Sequence, residues 1–253
     1  MHSELFESTI PFDAPEPARA GAYRREFGPD TVPGDFRETS PLPTVLSPSL
    51  RADLKRFEGS DRSADILGVL AACVRHNKRV TLHLQCGLHE VPLTVFPQEQ
   101  LIHCPMNMVE LMAQHLSQLR VIHVEGAWLH PPGATELMLV GRNAMLHPLT
   151  PFLWELAMRG ARRELLPEIS GSVAYRVTPG LDISRLPVRG ALVATLNRLR
   201  TQPANLRELS DWPGLDRERA VRLLNALYLQ AGLIVSRAHR EAFSDSWWGA
   251  LGR

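Results

Sequence analysis

Five closely spaced residues carry side chains able to bind a metal or move a proton: His83, Cys86, His89, His103 and Cys104. Imidazole and thiolate are good zinc ligands, and a structural zinc site needs four of them converging on one point. The local pattern opposes convergence. The stretch "VTLHLQC" alternates apolar and polar residues, the period of a strand, so His83 and Cys86 point to opposite faces. Cys104 diverges from its neighbour His103 for the same reason, so the two cannot act as nucleophile and base. The expectation is that the cysteines are small core residues and that His83, His103 and His123 sit on polar or semi-exposed strand faces. No metal and no other cofactor is expected. The sequence has no GxSxG, P-loop, HExxH or post-strand GxGxxG. Glu155, Glu164 and Glu168 read as a charged stripe on a solvated helical region. The chain is therefore not expected to be an enzyme.

The elements that would position these residues follow from punctuation and periodicity. Residues 1–48 hold eight of the twenty prolines, with little apolar periodicity, and read as a largely irregular arm. Residues 49–147 read as a central α/β domain. In it a helix capped by Ser60 or Ser63 runs to His76, followed by strands at "RVTLHLQC", "LHEVPLTVF" and "QLIHC". A helix capped by Asn107 and the strand "RVIHVE" complete it. Pro92 cannot donate to a ladder, which places its strand at an edge or a bulge. Residues 148–188 read as a helical connector, with Thr150 capping a helix that ends near Gly160, and residues 189–253 as a second, helical domain. The fold class expected is α+β, with a flexible N-terminal arm, a mixed or antiparallel central sheet and a winged-helix-like C-terminal domain.

The charge is unevenly spread. Residues 1–50 hold four Arg against eight acidic residues, and residues 186–253 hold ten Arg against six, although the whole chain sums to +1. That bias permits nucleic-acid binding without requiring it. Three cysteines without CxxC spacing suggest reduced thiols in a cytoplasmic protein, and the use of Arg everywhere except Lys55 and Lys78 suggests a bacterial one. The opening "MHSELFESTIPFDAPEP" does not read as a secretory signal, and no run approaches the ~18 apolar residues of a membrane helix. No membrane association is expected.

The last quarter is the most organised. "GALVATLNRLRT" gives a helix with Leu192, Val193, Leu196 and Leu199 inward. Asn205 and Glu208 form a capping box for "LRELS", "DWPG" supplies a turn, and Asp216 caps a long third helix that Gly232 stops. "LIVSR" reads as the strand that begins a wing. From Gly190 to Arg237 the chain resembles the winged helix-turn-helix family, a resemblance that implies DNA or protein recognition by the third helix. "VFPQEQLIHCPMNMVEL", within residues 60–125, resembles the PATAN type of bacterial regulatory domain, which implies non-enzymatic signalling by protein contact.

On the third helix, Ala220, Val221, Leu223, Leu224, Leu227, Tyr228 and Ala231 fill an arc of about 160° at 100° per residue. The opposite arc, expected outward, holds Glu218, Arg219, Arg222, Asn225, Ala226 and Leu229. Arg217, Arg219, Arg222, Asn225 and Leu229 are the expected partner- or DNA-binding residues. Arg and Asn suit base edges, whereas Glu218, Ala226 and Leu229 suit a protein contact. The expected partner is another protein, with duplex DNA as the alternative and a second copy of the chain as a further candidate. Trp247 and Trp248 read as a terminal helix packing on its own domain, with partner anchoring the alternative. The spaced apolar residues of the arm could dock on the chain itself or on a partner.

Overall fold

The alternation in "VTLHLQC" becomes strand β2 (Val80–Cys86), which pairs antiparallel with β3 (His89–Phe96) across the tight turn at Gly87 and Leu88. In the computed structural model, residues 10–11, 45–58, 65–113, 116–133 and 140–237 are described. The arm residues, Ser60, Ser63, Trp247 and Trp248 lie largely or wholly outside them. The other elements of the first part are β1 (Ile10–Pro11), α1 (Pro48–Glu58), α2 (Ile66–His76), β4 (Leu101–His103), α3 (Met108–Ala113), β5 (Arg120–Gly126) and β6 (Leu146–Pro148). After α4 (Leu149–Arg159) come β7 (Ala174–Val177), α5 (Ala191–Thr201), α6 (Leu206–Ser210), α7 (Arg217–Leu229) and β8 (Leu233–Ser236). The fold is α+β.

The large sheet runs β5-β2-β3-β4-β6, with β1 also on β3, and each of these pairings is antiparallel. Register sorts its side chains by face. Val80, Leu82, Leu84, Val91, Leu93, Val95 and Ile102 share one face and are essentially inaccessible. Full burial of each such side chain contributes about 1.5–3 kcal/mol. Thr81, His83, Glu90, Pro92, Thr94, His103, His123 and Glu125 share the other. Pro92 is not on an edge strand. It sits where β3, paired with β2 on one flank, has passed β1 and not yet met β4 on the other, an interval without a ladder partner among the described residues. A missing N–H is tolerated at such irregularities.

Residues 66–73 of α2 are all buried. The helix is capped not by Ser60 or Ser63 but by Asp65, whose carboxylate accepts from the Gly68 N–H at 3.0 Å. Asp53 of α1 accepts from Arg75 at 2.5 Å and from His76 at 2.6 Å, tying α1 to the end of α2. Asn107 caps α3 as expected, accepting from the Val109 N–H at 2.9 Å, and a 3-10 turn lies at Leu116–Gln118.

The chain divides into two compact units, residues 1–152 and 153–253, with the boundary inside α4. The expected connector 148–188 is thus not a separate piece, since β7 is the antiparallel partner of β8. Tyr175 of β7 also exchanges backbone hydrogen bonds with Ala204 at 2.8 and 3.1 Å. Its hydroxyl donates to the Ile169 carbonyl at 2.7 Å. Among the described residues the strand that pairs with β8 is β7, which precedes the helices in the chain; the residues after Arg237, where a wing would continue, lie outside them.

Candidate functional site

The turn from α6 into α7 is set locally, as the residue types demand. Asn205 accepts from the Glu208 N–H at 2.9 Å while the Glu208 carboxylate accepts from the Asn205 N–H at 3.1 Å, a complete capping box. Asp216 accepts from the Arg219 N–H at 2.7 Å and starts α7. The helix ends in a left-handed residue, and this is Ala231 at φ 51° instead of Gly232. Gly232 is needed for space, since a Cβ there would stand 2.8 Å from the Leu181 side chain.

Most of the expected outward arc of α7 is closed. Asn225 has no exposed surface. Its side-chain oxygen accepts from the Leu166 N–H at 2.9 Å and its amide donates to the Glu164 carbonyl at 3.0 Å. Arg222 is half-buried, donating to the Met158 carbonyl at 2.6 Å and to Glu218 at 3.0 and 3.1 Å. Leu229 and Ala226 are buried. The expectation that Arg222, Asn225 and Leu229 form an open contact surface is therefore corrected: backbone groups of Met158, Glu164 and Leu166 engage Arg222 and Asn225, and Leu229 is buried. The physical reason is amphipathicity on both sides, because a helix apolar around most of its circumference needs a second layer. Only the first turn stays exposed, with Arg217, Glu218 and Arg219. Arg219 donates to the Gly214 carbonyl at 2.7 Å, which fixes its stem over the turn. Nearby, the Arg198 guanidinium lies 4.0 Å from the Trp212 ring centroid.

The polar face of the large sheet holds the densest ionisable cluster. His83 bridges two carboxylates: Nδ1 lies 2.6 Å from Glu90 Oε1 on β3, and Nε2 lies 3.1 Å from Glu125 Oε1 on β5. The His123 ring is 5.9 Å away, tilted by 41°. Both contacts are hydrogen bonds together only when the imidazole carries both protons. Burial alone would lower the proton affinity of His83. Hydrogen bonding and charge from Glu125 and then Glu90 outweigh it and raise the pKa above the ordinary imidazole value. Burial acts to raise the pKa of Glu125, but hydrogen bonding and charge from His83, with His123 and Trp128, bring it below the usual carboxylate value. With each ring nitrogen turned to a carboxylate, His83 presents no lone pair to a substrate.

The remaining reactive groups are muted. Burial pushes the thiols of Cys73 and Cys104 up to about 12 and also raises that of Cys86. Thiolate, the reactive form, is scarce at such values. His103 lies on the polar face of the sheet but is fully buried, and burial with the nearby charge of His147 lowers its pKa to about 4. Among the described residues no three His, Cys, Asp or Glu side chains converge to hold a metal ion. None of their helices is long and apolar enough to cross a membrane. Glu155 pairs with Arg159 along α4 at 3.3 Å, while Glu164 lies beyond that helix.

No family model, curated protein or solved structure matches this chain.

Glu90 and Glu125 are the members of the histidine cluster that sequence reasoning missed. His83 and Glu90 face each other only after β2 turns back as β3, and His83 and Glu125 only after β5 docks on β2. The available signal was narrow: acidic residues at same-face positions of strands bounded by apolar partners.

Proposed function

We propose that this chain is a non-enzymatic regulatory or adaptor protein that acts in the cytoplasm through contact with another protein. The observation that carries this reading is the engagement of the groups able to do chemistry. Both nitrogens of His83 are held by carboxylates, and the thiols of Cys73 and Cys104 are buried and raised to about 12. Such groups hold a scaffold together more readily than they turn over a substrate. The exposed first turn of α7 offers Arg217, Glu218 and Arg219, charges of both signs side by side. That mixture suits a protein surface of complementary pattern better than a uniformly negative phosphate backbone. The likeness of residues 60–125 to PATAN regulatory domains points the same way.

The test is affinity capture with the full chain and with an R217E/R219E variant of unchanged thermal midpoint. Loss of a stoichiometrically captured protein from the variant supports the reading. Equal capture by both overturns this assignment of the contact.

A second reading, a DNA-binding regulator, has one observation of its own. Arg217 and Arg219 lie at the N-terminal end of the second helix of a helix-turn-helix, where base contacts are usually made. The winged-helix likeness of residues 190–237 supports it. Duplex binding at low salt that falls steeply with added salt, and is lost in R217E/R219E, would favour DNA.

A further inference from the structure

We propose that His83, Glu90 and Glu125 form a proton-dependent latch that holds the outermost strand, β5, on the large sheet. The latch spans three adjacent strands: Glu90 on β3, His83 on β2 and Glu125 on β5. Its position coincides with a weakness in the ladder. The β2–β5 register shifts between His83 and Leu84, so regular pairing is interrupted beside the histidine that reaches across. A bulge removes local ladder support, which gives a side-chain bridge at that place more weight.

The two halves of the latch are unequal. The Glu90 side chain is 5% exposed and its contact with His83 is 2.6 Å long; that of Glu125 is 36% exposed and its contact is 3.1 Å long. When the ring loses its second proton, one nitrogen turns a lone pair toward a carboxylate. The buried, shorter bond to Glu90 is the one retained, because a desolvated carboxylate loses most when its donor goes. The contact with Glu125 then opens, leaving that part-exposed carboxylate to Trp128 and solvent. The latch therefore releases at β5 and not at the buried strand β3.

The surrounding charges fit this order. On the same face β5 carries Arg120 and His123 besides Glu125, β3 carries Glu90, and β4 carries His103 beyond Thr94. Glu125 and Glu90 are the charges that act on His83. His123 acts on Glu125 and, with His83, helps to hold that carboxylate below its usual range. His103, with its low proton affinity, stays neutral through the range in which His83 titrates. Since the folded-state pKa of His83 is raised, the latch is closed below the ordinary imidazole value and opens as pH rises through the raised one.

The experiment is amide hydrogen exchange on the full chain at about pH 5.5 and about pH 9, each rate divided by its intrinsic rate. Protection across residues 120–126 is expected to fall by about threefold to tenfold at the higher pH, the weight of one part-exposed hydrogen bond between charged groups. Protection of α2 and of β3 beside Glu90 is expected to hold. H83Q and E125Q should each abolish the pH dependence at β5. Equal protection of β5 at both values, or an undiminished pH response in either variant, overturns the latch. A titration of the His83 ring by NMR in the wild-type chain needs no variant. Its midpoint should coincide with the loss of β5 protection, and a midpoint well apart from that loss overturns the proposal.

Discussion

Asn225 and Leu166 are locked together: the side-chain oxygen of Asn225 accepts the Leu166 N–H at 2.9 Å, with both residues fully buried. The same amide donates to the Glu164 carbonyl at 3.0 Å. One polar side chain on α7 thus satisfies two backbone groups of a segment that has no helix or strand to satisfy them. The pair converts what reads as a recognition face into an internal seam.

Removing that seam should be costly. Asn225→Ala leaves the buried Leu166 N–H short of its partner, whereas the Glu164 carbonyl keeps its bond from Arg162 Nε at 2.9 Å; one such buried orphan costs about 1–3 kcal/mol. Chemical denaturation of the variant is expected to show a loss of about 1–3 kcal/mol, dominated by that N–H. A change within the scatter of surface substitutions would mean that the segment is not held by Asn225.

Gly141 is the floor beneath His103. A Cβ at position 141 would stand 2.5 Å from the His103 ring, closer than real contacts allow. Gly141→Ala is expected to destabilise by about 1–3 kcal/mol, the range for overfilling a packed site. A Gly141→Ala, His103→Ala double variant should recover part of that loss, and thermal unfolding of both reads the outcome.

His103 should also make the fold acid-sensitive. Its pKa falls from 6.5 to about 4 in the folded chain, so protons bind the unfolded state first as pH drops. Stability carried by neutral His103 is present above pH 6.5 and is lost progressively toward pH 4, by about 3 kcal/mol in all. His83 runs the other way, its contribution being present at low pH and lost as pH rises through its raised value. The two separate cleanly when the pH dependence of unfolding is compared between wild type and His103→Asn. The variant should lose less stability between those limits.

The thiols should be inert in the native state. Burial pushes Cys73 and Cys104 up to about 12, so alkylation at neutral pH is expected to proceed only as fast as the chain opens. Rapid labelling of either under native conditions would show a more accessible thiol than the structure describes.

Much of the fold was legible because its cues are local. The capping box at Asn205 and Glu208, the cap at Asp216, and the strand alternation in residues 80–86 each depend on a few neighbouring residues. The α+β class follows from such cues. The site was less legible because burial is not a local property. Helical periodicity put Asn225 opposite the apolar arc, and no feature of α7 reveals that backbone groups of Glu164 and Leu166 engage it. Strand register caused the second gap: His83 was identified, but its two carboxylates come from strands whose pairing the sequence does not state. At β8 the strand was found but not its partner, since β7 lies more than fifty residues upstream. The same long-range dependence explains why Ala231 takes the left-handed turn, because close packing against Leu181 governs the choice of glycine at 232.

Contact through the first turn of α7 is the centre of the functional reading, and a photo-reactive side chain placed there tests it most directly. With the crosslinker at position 219 of the full chain, illumination in the source cells should join it to one distinct protein. The same group at position 213, on the neighbouring exposed turn, serves as the reference and should give a weaker product. Crosslinking from position 219 to nucleic acid, or to no macromolecule at all, would contradict the reading.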